Sequence, residues 1–146
     1  MIVRGCVFPD HLRYDVDNHV WYEPLPDGSF RLGMTSVAVA LAGDILAFTP
    51  RRVGRPVEKN RACATVESGK WVGPARIAFD AEVSAVNDAL IARPSLANAD
   101  PYGAGWMIEA RPAGPFDPAA LLRGEAAARA YADWMDREGF EGCAEE

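Results

Sequence analysis

The stretch Val66-Glu67-Ser68-Gly69-Lys70-Trp71 carries the residue pattern on which a covalent-carrier chemistry could rest. A lysine in a turn is ordinarily a solvated charge. Here strand-like segments of balanced length flank it, Arg61 to Val66 before and Trp71 to Ile77 after. They predict a hairpin with Lys70 at its tip, held clear of the body of the protein. A modifying ligase and several client enzymes could all reach an amine placed there.

Competing chemistries leave little trace. The sequence has no GxGxxG, no P-loop and no GxSxG nucleophile elbow. His11 and His19 lie early in the chain with no catalytic partner in view, and the carboxylates are not paired in an apolar setting suited to acid–base work. No catalytic residue and no enzymatic activity of its own are therefore expected. Cys6, Cys63 and Cys143 are odd in number and widely spaced, without a CxxC or Cys/His pattern. Neither a metal site nor a disulfide framework is expected from them, and each reads as a buried or idle thiol. Arg51, Arg52, Arg55, Lys59 and Arg61 gather in one stretch. They read as a solvated loop rim or, more sharply, as a docking patch for an acidic partner protein.

The elements that must position Lys70 follow from local signals. The 146 residues, 49% hydrophobic and 25% charged, fit one domain, 1–146, with a real core. A net charge of −6 argues against a nucleic-acid partner. No stretch approaches the roughly 20 apolar residues of a membrane span, and the start lacks the apolar core of a signal peptide, so the cytoplasm is the expected location. Phe8 to Tyr14 reads as extended. Pro26-Asp27-Gly28 predicts a hairpin between His19 and Gly33. Thr35 as N-cap and Gly43 as left-handed terminator frame a short helix, although the Val/Ala alternation between them also allows a strand. Asp44 to Thr49 and Phe79 to Val86 read as strands, Pro94 to Gly105 as a structured loop or short helical turn, and Trp106 to Ala110 as a last strand. A C-terminal helix over 118–138 is expected behind Asp117-Pro118, with Leu122, Ala126, Ala130 and Trp134 at helical spacing and Leu121 and Met135 flanking that stripe. The fold class is mainly β with short helices and a C-terminal α-helix.

A longer string of residues resembles the glycine cleavage system H protein family, lipoyl carriers with a barrel-sandwich hybrid fold. Glu67, Ser68 and Lys70 match the family's ESxKA-type motif. His19 and Trp21 match its HEW-type element, Gly33-Met34-Thr35 a GIT-like element, and Ala42-Gly43-Asp44 an LGD-like one. Val86-Asn87 follows in register. The NxDPYGxGW motif is intact as Asn98, Asp100-Pro101-Tyr102-Gly103 and Gly105-Trp106. The match runs unbroken from about Leu12 to Pro112. The resemblance implies a lipoyl group joined as an amide to Lys70, with Glu67, Ser68, Gly69 and Trp71 presenting the lysine to a lipoate-attaching enzyme. The carrier then supplies position and protection while partner enzymes make the bonds.

Departures from the family pattern point to a particular branch. Gly69 and Trp71 stand where valine and alanine are usual, Ala78-Phe79-Asp80-Ala81 replaces a PxxG turn, and Arg4 to Pro9 and the tail with Cys143 are unlike ordinary glycine carriers. These features are more similar to the H-protein-like lipoate-binding proteins that serve heterodisulfide-reductase-like complexes in bacterial sulfur oxidation. That branch would make Cys6, Cys63 and Cys143 possible auxiliary thiols. The alternative is a glycine cleavage carrier whose partners are glycine decarboxylase, aminomethyltransferase and dihydrolipoyl dehydrogenase. An unlipoylated relative and a biotin carrier stay open as further classes, the latter disfavoured because biotin carriers favour methionines beside the lysine.

Overall fold

In a computed structural model that describes residues 1–143, three antiparallel sheets and four α-helices are built largely from the signals above. The hairpin at Pro26-Asp27-Gly28 forms as expected, joining β4 (Val20–Pro24) to β5 (Phe30–Met34) with Pro24 opposite Phe30. The other strands are β1 (Ile2–Val3), β2 (Cys6–Val7), β3 (Arg13–Asp15), β6 (Ile45–Pro50), β7 (Pro56–Val57), β8 (Ala62–Ser68), β9 (Val72–Arg76), β10 (Ala81–Val86) and β11 (Ile108–Pro112). A six-stranded sheet runs β3-β4-β5-β11-β10-β7, a three-stranded sheet β6-β8-β9, and β1 pairs with β2. Alternation along the strands turns Tyr22, Leu32, Ile108 and Ala110 of the large sheet and Phe48, Ala64 and Val66 of the small one into a shared core. The architecture is the mainly β one expected, with two sheets enclosing one core.

Helix α1 (Ser36–Ala42) settles the helix-or-strand ambiguity. Thr35 Oγ1 accepts the Ala38 amide at 3.2 Å, satisfying one of the unpaired donors of the first turn. Gly43 ends the helix, but with φ 80° and ψ −156°, so it is not the left-handed cap expected. The chain must turn at once into β6, and only an extended ψ does that. Two short helices, α2 (Asp88–Ala92) and α3 (Leu96–Ala99), follow β10. The first had no reading in the sequence, because a single turn carries no period.

The C-terminal helix departs most from expectation. Asp117 and Pro118 begin only a single 3-10 turn, Pro118–Ala120. Leu122 then exchanges backbone hydrogen bonds with Tyr14, at 2.7 and 3.1 Å, which holds the chain extended. Helix α4 proper is Gly124–Glu138, closed by Gly139 in the left-handed conformation. Its buried residues are Ala127, Tyr131 and Met135, and Leu122 and Ala126 lie exposed. The stripe is thus rotated by one residue, about 100°, because Tyr131 stacks on Phe8 (centroids 4.5 Å apart) and outweighs the alanines. This face covers the N-terminal segment, forming a second core of Phe8, Leu12, Tyr14, Trp21 and Val37.

Cys6 and Cys143 form a disulfide across 137 residues of sequence, correcting the expectation that the cysteines support none. Spacing could not reveal it, since the two meet only after α4 has packed against β1.

Candidate functional site

Lys70 lies at the tip of the β8–β9 hairpin. The Ser68 amide donates to the Trp71 carbonyl at 2.7 Å, closing a turn whose two central residues are Gly69 and Lys70. Ser68 is buried, and its Oγ lies 3.4 Å from both the Lys70 amide and the Trp71 carbonyl. Ser68 therefore shapes the tip from below, while Glu67, Gly69 and Lys70 point outward. The lysine stem lies across the end of α1. A Cβ on Gly43 would sit 3.3 Å from Lys70 Cε, so the bare glycine makes room for the arm. Among the described residues no carboxylate lies within ion-pair distance of the lysine amine. Trp71, 41% exposed, folds along the start of β9 onto Gly73, where a Cβ would collide with the indole. With Leu41, Leu46 and Val72 also exposed nearby, the tip stands in an apolar collar.

Beside the tip runs a groove of about 200 Å³, bounded by Trp71, Pro74 and Ala75 of the hairpin, Ala38, Leu41 and Ala42 of α1, and Asn18, His19, Val20 and Met34. Among the described residues none of the side chains lining it is a carboxylate. His19 holds a positive φ of 56°, and its Nδ1 sits 3.2 Å from the Tyr131 hydroxyl. Its ring also meets Trp134 edge-on. Burial lowers its pKa to about 4 against the opposing pull of Asp17, so the imidazole is neutral at pH 7. An exposed lysine beside an apolar, uncharged groove can hold a carried group at its tip and shelter it.

The model of the glycine cleavage H-protein family matches residues 12–133. The chain belongs to that family. Among its relatives, glycine cleavage system H protein 5 of Aquifex aeolicus is 46% identical over 124 residues, covering 82% of this chain and 83% of that one. H protein 2 of the same organism is 38% identical over 144 residues, 98% and 89% of the two chains. A crystal structure of the H protein from Mycobacterium marinum superposes with a TM-score of 0.73 at 29% identity, covering 91% of this chain and all of that one.

The residues that match the family string lie around the arm as its scaffold. Asn98 donates to the Gly43 carbonyl and accepts from the Ile45 amide, both at 2.9 Å, clamping the bend over which Lys70 lies. Trp21 donates to the Pro101 carbonyl at 2.9 Å, and Tyr102 accepts the Ser36 amide at the start of α1. Buried Asn87 spans the carbonyls of Ala104 and Trp106. In the sequence Asn98 and Tyr102 stand out only as members of a motif. Their polar type inside a Pro/Gly-rich loop was the one available sign that they bind backbone. Tyr131 and Phe8, which set the His19 side of the groove, had no such sign. The three cysteines are not brought to the tip. Cys6 and Cys143 are bonded to each other, and Cys63 is buried in the core with burial pushing its thiol up to about 12. None of the three is a free, exposed thiol. Arg51, Arg52, Arg55, Lys59 and Arg61 lie at the other end of the three-stranded sheet from Lys70.

Proposed function

We propose that the chain, acting as one carrier domain, bears a lipoyl group on Lys70 and serves partner enzymes without catalysing a reaction itself. The observation that carries this reading is the placement of Lys70 at a hairpin tip over Gly43, with no carboxylate partner among the described residues, in a chain of the H-protein family. The surroundings fit the group. Amide formation removes the lysine charge without stranding a counter-charge, and the adjoining groove offers an apolar wall. When bound, a lipoyl group supplies a disulfide that opens on nucleophilic attack and re-forms on oxidation. The chain's own residues do the rest. Ser68 and the Ser68–Trp71 hydrogen bond hold the turn, Glu67 and Gly69 leave it accessible to a lipoate-attaching enzyme, and Trp71 and Leu41 offer partners an apolar contact.

The names of the relatives support the glycine cleavage role, with glycine decarboxylase, aminomethyltransferase and dihydrolipoyl dehydrogenase as partners. One observation favours a second reading, sulfur transfer to a heterodisulfide-reductase-like complex. None of the described side chains lining the groove is a carboxylate, so a cationic aminomethyl cargo touches no counter-charge on its walls, and the nearest acidic influence is that of Asp17 acting on His19 from outside them. The cytoplasm is the proposed location; among the described residues no helix is long and apolar enough to cross a membrane.

The test begins with protein incubated with lipoate ligase and mapped by peptide mass. Modification at Lys70 is expected, and its absence from a folded chain would sink the carrier reading. The lipoylated protein is then offered to glycine decarboxylase in a glycine–bicarbonate exchange assay, with a known H protein alongside. Robust exchange supports glycine cleavage and removes the sulfur reading. No exchange beside an active control supports sulfur transfer.

A further inference from the structure

The basic end of the small sheet is a built surface. Arg51 leaves β6 with its amide on the Cys63 carbonyl and its Nε donating to the Ala62 carbonyl at 3.3 Å. Across the sheet Arg76 donates to the Asn60 carbonyl at 2.8 Å. Arg52 and Arg55 bracket a turn closed by the Arg55 amide on the Arg52 carbonyl, and Arg61 flanks β8. All five are exposed, and among the described residues none has a carboxylate within 4 Å. Two of these guanidinium groups are thus positioned by neutral carbonyls, which orient them without cancelling their charge. Arg51, Arg55 and Arg61 share one shallow concavity with Glu58. Val53, 60% exposed, stands on the turn between Arg52 and Arg55. Five unneutralised arginines on one edge of a chain of net charge −6 form a strongly local positive field.

We propose that this edge is a second docking surface, fitted to an acidic protein face that also presents an aliphatic side chain to Val53. Arginine forks pair with carboxylates in a fixed plane, and an apolar residue ringed by arginines is the make-up of an interface. A nucleic acid fits less well, because residues 50–62 contain no aromatic side chain for bases to stack on and the molecule as a whole repels polyanions. Position gives the surface its use. Arg61 and Lys70 lie at opposite ends of β8, whose seven residues span roughly 23 Å at about 3.3 Å per residue. A partner gripping the basic end leaves the tip free to enter an active site. The carrier stays attached to one protein while its arm visits another, which raises the local concentration of the arm. That use rests on the carrier reading. The docking itself does not, and it is tested on the unmodified chain.

The experiment measures fluorescence anisotropy of a labelled synthetic peptide of glutamate with interspersed leucine, titrated with the full chain at low and at moderate salt. Binding that weakens at least tenfold in the R51E/R55E/R61E variant is expected, as is a severalfold loss in V53S. Reversing Arg123 just before α4 and Arg129 and Arg137 on it, an equal change of charge elsewhere, is expected to leave it near the wild-type value. Every substituted side chain is exposed, and circular dichroism checks that each variant folds. Equal binding by wild type and R51E/R55E/R61E, or no binding at low salt, overturns the proposal. So does polyphosphate of matched charge binding more tightly than the peptide, which would assign the edge to a phosphate polymer instead.

Discussion

At the scale of single residues, the working part of the molecule is a contact between Lys70 and Gly43. Gly43 holds a backbone conformation, φ 80° and ψ −156°, that is essentially open to glycine alone. Its replacement by alanine both strains the backbone and places a methyl 3.3 Å from the lysine stem. G43A is expected to lower stability by about 1–3 kcal/mol in urea unfolding and to slow ligase modification of Lys70. G69A, by contrast, meets nothing within 4 Å and no positive φ, so stability and modification rate close to wild type are expected. His19 supplies a pH dependence. Its pKa is lowered from 6.5 to about 4 in the folded chain by burial. The folded state therefore prefers the neutral ring, and that stabilisation is fully present above pH 6.5. It is lost as pH falls from 6.5 toward 4, by at most roughly 3 kcal/mol. Urea midpoints of wild type and H19Q between pH 7 and 4 should differ in slope, with the variant flatter. Parallel curves would show that His19 does not carry the effect.

At the scale of elements, the arm depends on a joint. Helix α1 ends at Gly43, β6 begins at Ile45, and the chain between them is tied by Asn98 from α3. Asn98 thus couples the loop Pro94 to Gly105, distant in sequence, to the platform beneath Lys70. N98A removes two hydrogen bonds and leaves the Ile45 amide and the Gly43 carbonyl without their partner. A loss of roughly 1–3 kcal/mol is expected, with faster hydrogen exchange at the Ile45 amide and slower lipoylation. Unchanged exchange at Ile45 would mean the joint is held by the strands alone. The β8–β9 hairpin needs less support, since β8 pairs on both sides, with β6 and β9.

At the scale of the whole molecule, the two chain ends form a unit of their own. The disulfide Cys6–Cys143, the ion pair of Arg4 with Asp136 and the stacked rings of Phe8 and Tyr131 bind the N-terminal hairpin to α4. Cys6 is fully buried and Cys143 only partly, so a reductant reaches the bond from the C-terminal side. Cross-linking residues so far apart limits the unfolded chain strongly. Reduction, or the C143S variant, is expected to cost about 2–5 kcal/mol, read as a fall in Tm with and without a phosphine reductant. The groove shares this unit through the His19–Tyr131 contact, so the same variant is expected to raise the exposure of His19. The hairpin tip lies outside the unit, and modification of Lys70 is expected to persist in C143S.

The elements nearest the site were legible because their causes are local. Pro26-Asp27-Gly28 specifies a turn within three residues, Thr35 caps the helix that starts beside it, and Lys70 lies between strands that pair with each other across a four-residue turn. A string of motif residues added the family. Tertiary structure decided what local signals do not encode. The face of α4 was chosen by Tyr131 meeting Phe8, more than a hundred residues away, in a helix whose alanines distinguish its sides only weakly. The extended stretch at Leu122 was imposed by Tyr14, and the disulfide by the docking of α4. Asn98 reads as one polar residue in a loop until the bend it clamps is in place. The neutral state of His19 likewise exists only where the folded chain removes water from it. Pairings close in sequence leave their mark in composition and turn chemistry, whereas contacts between distant segments depend on the positions of all the elements and leave no period to read.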